Sequence, residues 1–165
     1  MIRKFKTDIQ IIASMTNYTT LDTNLGTMTF IERDGAIIAL NIGTPPPDAK
    51  YADTPLLCAA TIQMKEYLTG YRKKFDLPIA PVGTEFQMNI WNALTQIPYG
   101  KTISYAKLAE NIGHPRAVRA AGNANGRNPI PIIIPCHRVI ASNGNIGGFS
   151  LGLDLKRKLL AIESD

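Results

Sequence analysis

Between residues 18 and 42 apolar and polar positions alternate, as in a strand with one buried face. LGTMTFIERDGAIIALNI gives two apolar-rich strands around Asp34-Gly35, a hairpin signal. TPPPD (44–48) is a stiff connector. The period then changes to helical. Thr54-Pro55 opens a helix, with Thr54 as N-cap and Pro55 at the first helical position. Leu57, Ile62, Met64 and Leu68 form its expected apolar set, up to a stop at Gly70. DLPIAPVG (76–83), with two prolines and a glycine, reads as a linker.

Beyond it, Thr84-Glu85-Phe86-Gln87 fits a capping box, and Ile90, Trp91 and Leu94 form the stripe of a helix ending near Leu94. After the PYG turn (98–100), Ser104 caps a short helix, YAKLAENI, that Gly113 ends. His114-Pro115 is expected to start another, with RAVRAAGNA continuing it. Two short helices joined by a tight turn read as a helix-turn-helix. IPIIIPCHRVI (130–140) is expected to be extended and buried, and LDLKRKLLAIE (153–163) forms a last amphipathic helix.

Composition adds bounds. At 165 residues, with 45% hydrophobic and 19% charged, the chain is globular and has room for one ordinary domain or two small ones. No apolar run approaches the roughly 18 residues that span a bilayer. MIRKFKTDIQ is basic but is followed by no signal-peptide pattern, so an intracellular protein is expected. Cys58 and Cys136 form neither a disulfide framework nor a zinc motif.

Charge is uneven. Residues 1–95 hold nine Lys/Arg and nine Asp/Glu, and residues 96–165 hold nine against four. A basic half suits a polyanion such as nucleic acid, and also suits a soluble basic protein without one. In the helix after His114, Ala117, Ala120, Ala121, Gly122, Ala124 and Gly126 are small, and Arg116, Arg119 and Arg127 are long cations. Small residues allow close approach, to a neighbouring helix or to a DNA groove.

Of the two thiols, Cys58 in LLCAAT reads as an inert, buried small hydrophobe. Cys136 has His137 and Arg138 directly after it. A free thiol is mostly protonated at neutral pH, and a nearby imidazole or guanidinium favours the reactive thiolate. Adjacent side chains on a strand point apart, so contact between Cys136 and His137 requires a turn at Pro135 or a bridging water. A core histidine is the alternative.

Pro135-Cys136-His137-Arg138-Val139 resembles the PCHRV signature of the O6-alkylguanine-DNA alkyltransferases. The similarity extends over TEFQMNIWNALTQIPYGKTISYAKLA, PRAVRAAGNANGRNPIPIIIPCHRVI, GNIGGFS and KRKLLAIE, nearly all of residues 84–163. Residues 1–80 match more loosely. The resemblance implies an α/β (α+β) protein. Residues 1–80 would form a small mixed domain with an antiparallel β-sheet, and 84–165 a mostly helical domain with the helix-turn-helix.

It also implies DNA repair by direct, single-use transfer of an alkyl group, mainly methyl, from O6 of guanine to Cys136. His137 would take the Cys136 proton through a water, and Glu163 would orient His137. Asn128 would hold the turn carrying the cysteine, and Tyr105 would donate to the departing guanine. Val139, Phe149 and Ser150 would line the substrate pocket, with the Cys136 and Val139 carbonyls reading the exocyclic amine. Arg119 would fill the gap left by the extruded nucleotide, and Tyr105, His114 and Ser142 would contact DNA.

Two positions depart from common members. Phe149 replaces a tyrosine, and Leu151, where some have glycine, is expected to favour methyl over bulky adducts. The zinc ligands of some members are absent, and no cofactor is implied. Double-stranded DNA with O6-alkylguanine is the partner, with no membrane, no obligate protein partner, a monomeric state and a cytoplasmic location expected. The rivals are a non-catalytic alkyltransferase-like protein that only flags lesions, a cysteine hydrolase, and a DNA-binding regulator.

Overall fold

The structure is a computed structural model and describes residues 15–164. The basic N-terminal segment MIRKFKTDIQ, read for a signal peptide, lies outside them. Strands β1 (Asn17–Thr23), β2 (Gly26–Arg33) and β3 (Ala36–Ile42) form an antiparallel meander, and β4 (Lys50–Tyr51) adds parallel to β1, giving the order β3-β2-β1-β4. The β2–β3 turn falls at Asp34-Gly35, both at positive φ, as the alternation predicts. In β2, Met28, Thr29, Phe30 and Ile31 are all buried, as in a central strand covered on both faces.

Helix α1 (Pro55–Leu68) packs on this sheet. Thr54 caps it, its Oγ1 accepting from Leu57 N at 3.1 Å, with Pro55 at the first position. Its buried face is Leu57, Ala60, Met64 and Tyr67, spaced three, four and three residues apart. This corrects the expected set: Ile62 is 55% exposed, and Tyr67 takes the inner position. Cys58, expected to be buried, is exposed because it falls on the outer face with Ile62.

The DLPIAPVG stretch is stitched to the sheet. Ile37 N donates to Pro78 O and Ala80 N to Ile37 O, both at 2.9 Å. Leu40 N reaches Pro129 O at 2.9 Å, and one continuous apolar core runs from the sheet to the last helix.

Helix α2 (Glu85–Thr95) has the reciprocal capping box of Thr84 and Gln87 and buries Ile90, Trp91 and Leu94 as expected. Strand β5 (Ile103–Ser104) leads into α3 (Tyr105–Asn111), capped by Ser104. Helix α4 spans Val118–Gly126. It starts later than the sequence suggests, because Ala117 N bonds to His114 O and closes a turn over 114–117. That turn leaves Pro115 outside the helix. Strand β6 (Val139–Ile140) pairs parallel with β5, and α5 (Leu153–Ile162) ends the described chain. No described helix is long and apolar enough to cross a membrane.

Candidate active site

Residues 130–135 are buried as expected but are not extended. Asn128 clamps them into a loop: its Nδ2 donates to Ile134 O at 2.7 Å and its Oδ1 accepts from Ile130 N at 3.0 Å. Ile132 sits at φ 73°, a region that β-branched residues avoid, and it is 1% exposed. The loop therefore holds backbone strain that the clamp and the surrounding apolar contacts offset.

Pro135 then turns the chain into a single 3₁₀ turn, Cys136–Arg138. This is the turn that the Cys-His adjacency needs, since it takes the two side chains off a strand's alternating geometry. Cys136 is 2% exposed and His137 fully buried.

Behind His137 lies a dense polar cluster. His137 Nε2 is 2.8 Å from Glu163 Oε1. Arg138 grips the same carboxylate with two bonds, Nε to Oε2 and Nη2 to Oε1, both 2.9 Å, and its Nη1 donates to Ile97 O. Tyr67 OH donates to Oε1 at 2.6 Å, and Gly100 N to Oε2 at 3.2 Å. Although burial opposes its charge, these donors hold Glu163 well below the usual carboxylate range.

His137 is pushed below its ordinary value, chiefly by burial, with Glu163 opposing. An anionic carboxylate can only accept, so neutral His137 carries its proton on Nε2. Its Nδ1 is then a bare lone pair, buried without a hydrogen-bond partner among the described residues. Burial also pushes the Cys136 thiol up to about 11, against the opposing effects of Asn128 and the positive charge of Lys156. In the free protein this sulfur is protonated.

On the other side, a cavity of about 450 Å³ is lined by Tyr105, Arg119, Gly122, Asn125, Phe149 and Ser150, among others. Tyr105 OH bonds to Gly148 O at 3.2 Å. Gly122 brings α4 against the Tyr105 ring, where an added Cβ would sit 3.5 Å from it. Gly147, at φ 72°, passes so close that a Cβ would meet that ring at 2.9 Å. Asn125 joins the cavity to the cysteine, its Nδ2 donating to Cys136 O at 3.3 Å.

The structure thus brings Cys136, His137, Glu163 and Asn128 into one buried cluster, with Tyr105, Arg119, Phe149 and Ser150 around the adjacent cavity. Val139 is buried and does not line that cavity; its carbonyl accepts from Lys156 Nζ at 2.6 Å. Leu151 packs against the core. His114 and Ser142 are exposed away from the cavity, His114 in the α3–α4 turn with its ring 6.0 Å from that of Phe86.

Sequence reasoning missed Tyr67, Asn125 and Lys156. Lys156 is fully buried, also donates to Gly148 O at 3.0 Å, and is lowered by burial to about 8. Its spacing offered a signal: seven residues, two helical turns, separate it from Glu163 on the same face.

This geometry defines a class: an α/β protein with a buried thiol next to an imidazole–carboxylate pair, and a cavity that Asn125 links to the cysteine turn. The family model described as 6-O-methylguanine DNA methyltransferase, DNA binding domain, matches residues 85–165. A methylated-DNA–protein-cysteine methyltransferase of Mycolicibacterium paratuberculosis is 41% identical over 90% of this chain and 93% of its own length. One from Methanosarcina acetivorans is 50% identical over 71% of this chain and 75% of its own. The crystal structure of Mycobacterium tuberculosis OGT in complex with DNA superposes with a TM-score of 0.84 at 39% identity, covering 90% of this chain and 92% of that one. The chain belongs to the methylated-DNA–protein-cysteine methyltransferase family.

Proposed function

We propose that this protein repairs DNA by taking the alkyl group of an O6-alkylguanine, mainly methyl, onto Cys136, irreversibly and once per molecule. The observation that carries the reading is the Cys136 turn, which sends His137 to Glu163 and is tied through Asn125 to the cavity of Tyr105, Arg119, Phe149 and Ser150.

The reaction is a displacement at carbon. His137 Nδ1 accepts the thiol proton through a water, and Glu163 stabilises the imidazolium. The sulfur attacks the alkyl carbon, an S–C bond forms and the C–O6 bond breaks. The electron pair goes to guanine, which gains the proton the thiol gave up. Tyr105 offers its O–H to the base as negative charge grows there. A neutral thioether has no leaving tendency under these conditions, so the protein is consumed.

The buried sulfur suits a ligand that excludes water from the site. Lys156 supplies positive charge beside it, and Asn128 fixes the loop that carries it. Asn125 and Lys156 each hold one of the two carbonyls expected to face the exocyclic amine, and a carbonyl's second lone pair remains for that contact.

The alkylated carbon of a duplex is inside the stack, so the nucleotide must be rotated out, at a cost of a few kcal/mol. The α3–turn–α4 unit is read as the helix-turn-helix that docks on DNA. Arg119, exposed on α4 and lining the cavity, would occupy the gap left in the duplex. His114 and Ser142, both exposed, would contact the DNA strand. The domain division at 80–84 and work in the reducing, DNA-containing compartment belong to the same proposal.

The test uses a duplex with O6-methylguanine labelled in its methyl group. Label is expected on the wild-type protein and not on Cys136→Ala. Tight binding of the lesion by wild-type protein without label transfer would favour the flagging function instead.

A further inference from the structure

The Glu163 carboxylate receives a donor from a distant part of the chain. Tyr67, on α1, lies 96 residues before Glu163, is fully buried, and places its hydroxyl 2.6 Å from Glu163 Oε1 and 3.3 Å from His137 Nε2. The ring is held edge-on to Tyr99 at 6.2 Å and tilted against Phe75 at 5.2 Å. Its position is thus fixed by packing, independently of the hydroxyl.

We infer that Tyr67 is a positioning residue for the proton acceptor, setting the orientation and basicity of His137 through Glu163. The inference rests on the proposed role of His137 as the base for Cys136. The phenol has one proton, and the 2.6 Å contact assigns it to the carboxylate. Its lone pairs then face the Nε2–H of His137 at the longer distance. Tyr67 therefore draws charge from the same oxygen that receives the imidazole proton, and helps keep Nδ1 free to accept. Burial and the adjacent carboxylate both raise Tyr67 far above the ordinary phenol range, so it stays a donor at every working pH.

The surroundings fix the sign of the effect. Around the His137–Glu163 pair stand Arg138 from the 3₁₀ turn, Lys156 from α5, Tyr67 from α1, Tyr99 and Gly100 N from the segment after α2, and Cys136 itself. Lys73 lies over the Tyr99 ring at 5.5 Å. Removal of the hydroxyl leaves Glu163 its bonds from His137, Arg138 and Gly100, so the carboxylate stays ionised and the core stays satisfied. Oε1, with one donor fewer, becomes a stronger acceptor for the imidazolium. The shorter contact decides the outcome: His137 becomes more basic and protonates at higher pH.

Tyr67→Phe keeps the ring and removes only the oxygen. With two histidines in the chain, one exposed and one buried, His137 imidazole resonances can be followed directly by NMR against pH. The expected result is an upward shift of the His137 titration by roughly half a unit to one unit. The acid limb of the methyl-transfer rate should move in the same direction, with unchanged affinity for lesion DNA in the Cys136→Ala background. Tyr67→Leu, which also loses ring packing, should lower the unfolding midpoint well below that of Tyr67→Phe.

A His137 titration that superposes on wild type overturns the inference, whether or not methyl is transferred. Wild-type protein that never takes up methyl refutes the repair function separately, since the imidazole titration does not depend on turnover.

Discussion

Replacing Asn128 with alanine should both destabilise the protein and slow transfer, because one side chain holds the strained loop in front of the cysteine. The side chain makes two buried bonds, to Ile134 O and Ile130 N. Alanine leaves Ile130 N in the core without this partner, while Ile134 O keeps its bond from Cys136 N at 2.8 Å. An orphaned buried donor costs about 1–3 kcal/mol and an ordinary hydrogen bond about 0.5–1.5 kcal/mol, so the two losses together cost roughly 1.5–4.5 kcal/mol. The strain at Ile132, about 1–3 kcal/mol, then has less to hold it and the loop relaxes. Urea unfolding measures the first effect. With a slope of about 2 kcal/mol/M, the midpoint should fall by roughly 0.7–2.3 M with little change in slope. The control is Asn89→Ala on the exposed side of α2, which should leave the midpoint near wild type. Single-turnover transfer under conditions where the variant is folded should be slower by about tenfold or more, since the loop also supplies a hydrogen bond favouring the thiolate. A midpoint within about 0.3 M of wild type would refute the clamp.

Three further outcomes follow from the same geometry. Glu163 is held ionised well below its unfolded value, so its stabilising contribution is complete above about pH 4.5 and is lost as pH falls toward its folded value; Glu163→Gln should therefore show a flatter loss of stability between neutral and acid pH, and parallel curves would contradict this. Lys156 stands near the thiol with its own value lowered to about 8; Lys156→Met should slow transfer by about tenfold or more, and an unchanged single-turnover rate would remove lysine from the account. Arg119→Ala should reduce transfer from a duplex lesion by about tenfold, because the vacated stack is no longer filled, with less effect on the same lesion in a single strand; equal losses on both substrates would argue against the gap-filling role.

Local signals in the chain were reliable where the structure depends on neighbours in sequence. Thr54-Pro55, the Thr84–Gln87 capping box and Asp34-Gly35 are short-range devices, and each stands where its pattern predicts. Residues 130–135 were harder. A run of isoleucine and proline reads as a buried strand, but Asn128, just outside the run, folds it back through side-chain bonds that periodicity does not register. Lys156 reads as a solvated position on an amphipathic helix, and only its register with Glu163 suggests burial. Tyr67 escaped because Ile62 and Leu68 looked like better core residues, although the spacing of Leu57, Ala60 and Met64 leads to it. The Cys136–His137–Arg138 triplet pointed to a candidate chemistry, yet not to its geometry. On a strand the side chains diverge; the 3₁₀ turn after Pro135 sends His137 to Glu163 instead.

In the proposed repair the Cys136 sulfur becomes permanently alkylated by O6-alkylguanine in DNA. Intact-mass measurement after incubation with excess O6-methylguanine duplex, followed by peptide mapping, tests it most directly. One added methyl group per chain is expected, located on Cys136, with an equal amount of restored guanine in the DNA. Unmodified protein beside a lesion that persists, or methyl found on another residue, would contradict it.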